Sequence, residues 1–182
     1  MNTVPTSCGW NWVLTGFALF RKNPAMWAFL VFSYIMLMQM LGMIPLVGWI
    51  AATVLIPAFS ASFMIVSREL DQGNKLRIGL LFAGFGSNLP ALLVQGGLYL
   101  ASALGILALS ALADGGALFQ LMVSGERPPA AAFENGSLAA AAALAGTLYL
   151  PVLASFWFAP ALSAWRNLPA LQAMFYSLFA TF

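Results

Sequence analysis

Histidine is absent from this 182-residue chain, cysteine occurs once, and charge is confined to seven basic and five acidic residues. Without histidine, the chain lacks the usual general base and the commonest metal ligand. The single cysteine, Cys8, excludes an internal disulfide framework. Charged residues make up 7% of the chain, whereas soluble domains carry about 25%. The composition therefore excludes an ordinary soluble domain and argues against an enzyme.

Apolar residues are what the chain has in abundance. They make up 62% of the sequence, and the mean hydropathy is +0.92. The few charges lie between long apolar stretches, which indicates an all-α integral membrane protein. No linker divides the chain, so residues 1–182 are predicted to form a single membrane domain. The pI of about 9.0 is accompanied by no basic stripe or zinc pattern, so we expect no nucleic-acid partner.

Four apolar stretches are long enough to cross a bilayer, which requires about 20 residues. They are predicted to form four transmembrane helices arranged as two hairpins. The predicted spans are residues 25–44, 46–67, 90–113 and 137–158.

Three shorter amphipathic segments are predicted to lie along the membrane surface as interfacial helices. Residues 114–136 are predicted to form a periplasmic loop, in which Glu126 and Glu134 are interpreted as solvated charges and not as a catalytic pair. The amphipathic segments are residues 10–22, 78–89 and 167–182, the last of which could also begin a further unit. The predicted interfacial anchors are Trp10, Trp12, Arg21, Lys22, Trp165 and Arg166.

The distribution of basic residues predicts the orientation of the chain. Lys and Arg accumulate in cytoplasmic loops, and the four-span arrangement places six basic residues on one side against Arg127 on the other. Both termini are therefore predicted to be cytoplasmic. The six residues are Arg21, Lys22, Arg68, Lys75, Arg77 and Arg166.

Short internal matches suggest a repeated unit of one interfacial helix followed by two spans. Pro57-Ala58-x-Ser60-Ala61 recurs as Pro160-Ala161-x-Ser163-Ala164, and a basic residue follows each copy, Arg68 or Arg166. Gly16-Phe17 is echoed by Gly84-Phe85. Both copies contain an even number of spans, so the repeat would be parallel.

These motifs resemble those of a family of proteobacterial inner-membrane proteins that has no assigned activity. The resemblance implies a multi-pass protein of the bacterial inner membrane, built from interfacial helices and transmembrane hairpins. Members continue into a further pair of spans, so it also implies that this chain is either a short member or part of a longer protein. The residues that carry it are Gly9-Trp10-x-Trp12, Gly16-Phe17-x-Leu19-Phe20, Asn23-Pro24, Ile44-Pro45-Leu46-Val47-Gly48, Pro57-Ala58-x-Ser60-Ala61 and Leu81-Phe82-Ala83-Gly84-Phe85.

Two kinds of side chain are candidates for binding within the spans. Met36, Met40 and Met43 share one face of the first span, and thioethers suit Cu(I). Methionine is also an adaptable packing residue, and we favour that interpretation. Gln39 and Gln95 could mark a solute path, although a structural interhelical hydrogen bond is the favoured explanation.

Small residues at intervals of four indicate close helix packing, within the bundle in preference to a homodimer. Pro57 and Pro151 are predicted to kink their spans, with Ser60 or a neighbouring helix compensating the carbonyl that Pro57 leaves free. The predicted packing residues are Gly48, Ala52, Gly97, Ala101, Gly105, Ala142 and Gly146.

The sequence leaves three functions open. We favour a non-catalytic accessory or assembly component that packs against another membrane complex or organises lipid. A transporter or channel for a small solute, metal or lipid, acting as an oligomer, is the alternative. An enzyme acting on lipid is the least favoured, because no His, Cys or paired-acid arrangement supports it. The predicted partners are membrane lipid and another integral membrane protein or a second copy, with no cofactor.

Overall fold

The computed structural model describes residues 7–45 and 47–181, and these residues form helices and no strand. Leu46 and Phe182, which fall inside two predicted segments, lie outside the described residues. The helices are α1 (Ser7–Lys22), α2 (Pro24–Gly42), α3 (Val47–Asp71), α4 (Leu89–Asp114), α5 (Ala117–Phe119), α6 (Ala130–Glu134), α7 (Ser137–Trp157), α8 (Ala159–Arg166) and α9 (Ala170–Thr181). A 3-10 helix covers Ile78–Gly86 and a π-helical turn covers Gln120–Ser124.

Four of these helices, α2, α3, α4 and α7, are long and apolar enough to cross a membrane. The prediction of an all-α membrane protein with four spans is therefore confirmed. The helices pack in chain order, α2 against α3, α3 against α4, and α4 against α7. Helix α8 contacts both α3 and α4, while α9 packs on α7 and α8.

Local sequence signals explain where several helices begin and end. Asn23 caps α2, because its side-chain oxygen accepts a hydrogen bond from the Met26 amide at 3.2 Å, and Pro24 occupies the first turn. Gly115 ends α4 in the left-handed conformation at φ 66°. The Asp114 carboxylate then accepts hydrogen bonds from the Gly116 and Leu118 amides, at 2.9 and 2.6 Å, which starts α5.

An aromatic core lies between α2, α3 and the 3-10 helix. Its centre is Phe59, which is 1% exposed. The Phe59 ring centroid lies 5.2 Å from that of Tyr34 and 5.0 Å from that of Phe85, distances typical of favourable aromatic pairs. Leu30, Val66 and Leu81 are buried around it. This core joins the first hairpin to the segment that precedes α4.

An interfacial helix was predicted over residues 78–89, and the structure has a shorter helical segment that begins at Ile78. It is a 3-10 helix that ends at Gly86, and it packs against α3 with Leu81 and Gly84 buried. Its three glycines, Gly79, Gly84 and Gly86, have low helix propensity, and a Cβ at Gly84 would overlap the Ala58 carbonyl. The segment therefore takes the shape that lets its backbone meet α3.

The fourth span is followed by a short helix that was not predicted. Helix α7 stops at Trp157, the chain bends at Phe158, and α8 continues to Arg166. The Phe158 amide, which the bend releases, donates to the Ser177 hydroxyl of α9 at 2.9 Å. Helix α9 therefore closes the break.

The two ends of the bundle differ in charge. The Lys22 ammonium lies 3.8 Å from the Asp71 carboxylate, and Arg68 shares a groove with Trp165, the neighbour of Arg166. We call this end, which carries Lys22, Arg68 and Arg166, the basic end. Arg127 belongs to the connection between α4 and α7, at the opposite end.

Candidate functional site

A polar network lies at the junction of α4, α8 and the start of α9. The Gln95 side chain is fully buried, and its amide nitrogen donates to the Ala159 carbonyl at 3.2 Å and to the Ser163 hydroxyl at 2.7 Å. The Ser163 hydroxyl in turn donates to the Leu168 carbonyl at 3.0 Å, and the side-chain amide of Asn88 donates to the same carbonyl at 3.1 Å. The interhelical hydrogen bond favoured for Gln95 is present.

The Gln95 side-chain oxygen is buried and has no hydrogen-bond partner within the described residues. An unsatisfied buried acceptor costs stability of about 1–3 kcal/mol. The amide therefore stabilises the junction through its nitrogen and leaves one polar atom without compensation.

A second polar contact joins α3 to the 3-10 helix. The Gly84 amide donates to the Ser62 hydroxyl at 2.9 Å, and Ser62 donates to the Ala58 carbonyl of its own helix at 3.0 Å. Ser62 thus links α3 to the 3-10 helix, whereas the Ser60 hydroxyl makes no hydrogen bond within the described residues. The sequence interpretation missed Ser62 because the motif that drew attention to this region ends at Ala61.

Two tyrosines from different spans meet through their hydroxyl groups. Tyr99 of α4 is hydrogen-bonded to Tyr149 of α7, and its ring packs edge-on against Phe156. Tyr99 follows Gln95 by one helical turn, so both polar groups lie on the same face of α4. Sequence reasoning did not single out this pair, because nothing local links residues 50 positions apart.

An apolar cleft of about 340 Å³ lies beyond the tyrosine pair, between α4, α5 and α7. Tyr149 forms one wall, and Ile106, Leu118 and Met122 contribute apolar side chains. Two predicted packing residues, Ala142 and Gly146, line the cleft instead of bringing the helices together.

The close helix approaches occur at other glycines than most of those predicted. A Cβ at Gly96 would overlap the Val54 carbonyl of α3, and one at Gly48 would overlap the Leu41 carbonyl. Gly97, Gly105 and Gly146 have no atom within 4 Å of an added Cβ. Of the predicted glycines, Gly48 alone makes such an approach, and Gly96 takes the role expected of Gly97, one residue and about 100° around the helix.

The alanines of the predicted packing set are less buried than expected. Ala52 is half-buried, while Ala101 and Ala142 are exposed. Ala101 and Ala142 therefore contribute little to internal packing.

Comparison with known proteins identifies a relative of this bundle. A probable inner membrane protein of Burkholderia thailandensis is 36% identical over 181 residues, covering 96% of this chain and 67% of that protein. The chain belongs to the same family. No family model matches the chain, and no solved structure matches it.

The relative and the four spans together place this protein in the inner membrane as a multi-pass helical protein. The predicted location is thereby confirmed. The relative's name assigns no activity. The internal repeat and the orientation of the termini stay predictions.

The methionine face of this inner membrane protein points outward from the bundle. Met36, Met40 and Met43 are 44%, 67% and 82% exposed, respectively. Gln39, which borders them on α2, is also exposed, and its side chain makes no hydrogen bond within the described residues. Those residues contain no group of three or more His, Cys, Asp or Glu side chains that could hold a metal ion. Because the three methionine side chains are exposed, their thioethers form part of an outer surface.

The predicted interfacial anchors all have exposed side chains, and Lys22 is the member of the set with an ion pair, to Asp71.

Pro57 is buried inside α3 and Pro151 lies inside α7, so both helices continue through their prolines. Gly96 of α4 approaches the Val54 carbonyl, one turn before Pro57. A neighbouring helix thus covers the α3 backbone where proline weakens its hydrogen bonding.

Proposed function

We propose that this protein is a non-catalytic accessory or assembly component of the inner membrane, which binds another integral membrane protein through the outward face of α2. The observation that carries the proposal is the methionine face. Helix α2 contributes one buried residue, Leu30, to the bundle. Met36 and Met40 of α2 and the capping residue Met43 project outward.

Side-chain chemistry favours a protein partner at this face. Methionine adapts its shape to irregular contacts and is common at surfaces that accommodate partners. Gln39 borders the face near the end of α2, and a polar group on a neighbouring helix would stabilise its amide. A face that met lipid alone would need neither feature.

The arrangement of the spans also suits a packing role. Because α2, α3, α4 and α7 pack in chain order, the bundle presents broad apolar sides to its surroundings. Small exposed residues such as Ala101 and Gly105 on α4 offer a second place for a close helix contact, where the partner would be a second copy of this chain.

Copurification from native membranes tests the proposal. After mild solubilisation, the wild-type protein is expected to carry a stoichiometric integral membrane partner. The variant Met40→Trp adds bulk to the face and is expected to lose the partner. Leu150→Trp, at a residue of α7 that is 63% exposed, is the matched control and should retain it. A wild-type protein that purifies without a stoichiometric partner would contradict the proposal.

Transport by an oligomer is the second candidate, because Gln95 and Tyr99 form a polar stripe one turn apart on α4. Four spans make a narrow path, so an oligomer would be required. Solute flux across vesicles containing the purified protein distinguishes the two functions. Flux that is abolished by Gln95→Leu would favour transport, and its absence for metals, lipids and small solutes would favour the packing role.

A further inference from the structure

Two grooves at the basic end share one architecture. The first, of about 440 Å³, lies between α1, α3 and α8. Its apolar residues are Leu19 of α1 and Met64 of α3, while Arg68 and Trp165 contribute the cation and the indole. An apolar surface thus adjoins a positive charge at the end of the bundle where the charged residues gather.

The second groove, of about 420 Å³, lies between α8 and α9. Leu162 is one of its apolar residues, and Trp165 and Arg166 complete its α8 side. Tyr176 of α9 faces them. This groove therefore repeats the combination of an apolar surface, an aromatic side chain and an arginine.

The two grooves are built on the same helical spacing. Met64, Ser67 and Arg68 occupy positions i, i+3 and i+4 on α3, and Leu162, Trp165 and Arg166 occupy these positions on α8. Residues at this spacing share one helix face. Trp165 lines both grooves, so the two lie side by side.

The charges around the first groove leave its arginine available. The carboxylate of Asp71, which also lines the groove, is 3.8 Å from the Lys22 ammonium. The hydroxyl groups of Thr15 and Ser67 donate to carbonyls of their own helices, at 2.8 and 2.9 Å. Arg68 is exposed and makes no ion pair or side-chain hydrogen bond within the described residues, and the same is true of Arg166.

We propose that each groove binds one phospholipid molecule, with the phosphate on the arginine and an acyl chain along the apolar residues. The planar guanidinium can donate two parallel hydrogen bonds to phosphate oxygens. Indole rings favour the depth of lipid headgroups, and basic pockets between membrane helices bind lipid phosphates. The proposal goes beyond the packing role, since the grooves lie at the basic end and the methionine face lies on α2.

The apolar part of each groove separates a phospholipid from free phosphate as the ligand. Leu19 and Met64 in the first groove, and Ala161 and Leu162 in the second, offer nothing to an inorganic anion. They would bury methylene groups of an acyl chain. Both parts of a phospholipid are therefore required for tight binding.

Native mass spectrometry of the purified full chain, titrated with phosphatidylglycerol in a mild detergent, tests this proposal. The wild type is expected to bind two lipid molecules tightly. Arg68→Gln and Arg166→Gln should each weaken one site about tenfold, as expected for the loss of a hydrogen bond to a charged group. The double variant should weaken both. Arg127→Gln, at the opposite end, is the matched control and should leave both sites unchanged.

Four further measurements make the result specific. Diacylglycerol, which has the chains without the phosphate, should not bind at these sites, and excess inorganic phosphate should not displace the lipid. Trp165→Phe should weaken both sites together. Thermal unfolding of each variant checks that the fold is intact. Unchanged lipid binding by the double variant, or an equal loss in Arg127→Gln, would overturn the proposal.

Discussion

The two helices of the first hairpin, α2 and α3, are both apolar and long enough to span a membrane, yet they are used differently. Helix α3 has eight buried residues and packs against α2, α4, α8 and the 3-10 helix. Helix α2 has one buried residue. Hydropathy does not distinguish the two helices, so the difference must lie in the size of their side chains.

Residue size accounts for the difference. One part of the α3 surface consists of small residues, so the backbones of α4 and the 3-10 helix can come close to it. These residues are Gly48, Ala58, Ala61 and Ser62. Helix α2 carries bulky apolar residues around its circumference, and its Phe32, Met36 and Met40 project outward. Van der Waals packing drives helix association within a bilayer. We therefore interpret α3 as the centre of the fold and α2 as a surface for contact with other molecules.

Removal of the Phe59 ring should have the largest effect. The Phe59→Ala variant should lower the free energy of unfolding by about 2–4 kcal/mol, because a cavity opens among aromatic rings although transfer to lipid costs little. Phe32→Ala on α2, where the side chain is 59% exposed, is the control and should unfold like the wild type. Unfolding in mixed detergent measures both, and equal losses would remove the distinction between the two helices.

A methyl group at Gly96 should have the next largest effect. Gly96→Ala places its Cβ against the Val54 carbonyl of α3, and overpacking of this kind costs about 1–3 kcal/mol. Gly97→Ala meets open space and should be neutral or slightly stabilising, because alanine favours a helix more than glycine does. Thermal unfolding of the two variants compares neighbouring positions on one helix. A greater loss of thermal stability in Gly97→Ala than in Gly96→Ala would contradict the arrangement in which Gly96 faces α3.

Substitution of the two glutamines should have the smallest effect on stability. Gln95→Leu loses the hydrogen bonds to Ala159 and Ser163, and interhelical bonds in membranes contribute about 0.6 kcal/mol on average, and about 1.7 at most. The variant also removes the unsatisfied side-chain oxygen, which offsets part of this loss. Gln39→Leu should leave unfolding unchanged and weaken partner binding instead. A stability loss at Gln39 equal to that at Gln95 would show that α2 packs inward at this position.

The sequence predicted the spans well because the signal is carried within each segment. Uncharged runs bounded by residues such as Lys22, Arg68 and Asp114 identify hydrocarbon-spanning helices from length and composition alone. The buried glutamine was likewise predictable, because an amide within a span requires a partner.

Contacts between segments could not be predicted in the same way. Small residues at intervals of four occur on several faces of α4, and only the position of α3 selects Gly96 over Gly97. The 3-10 helix depends on the approach of Gly84 to Ala58, and the tyrosine pair depends on how α4 meets α7. Each arises from tertiary structure, for which spacing within one segment gives no sign.

Photo-crosslinking from α2 in native membranes tests the central claim most directly. A photoreactive amino acid at Met36, Met40 or Met43 should give an adduct with one integral membrane protein, whereas the same group at Leu37 or Met38, which pack against the aromatic core, should give none with that partner. Mass spectrometry identifies each adduct. Adducts with lipid alone from all three outward positions would contradict the account.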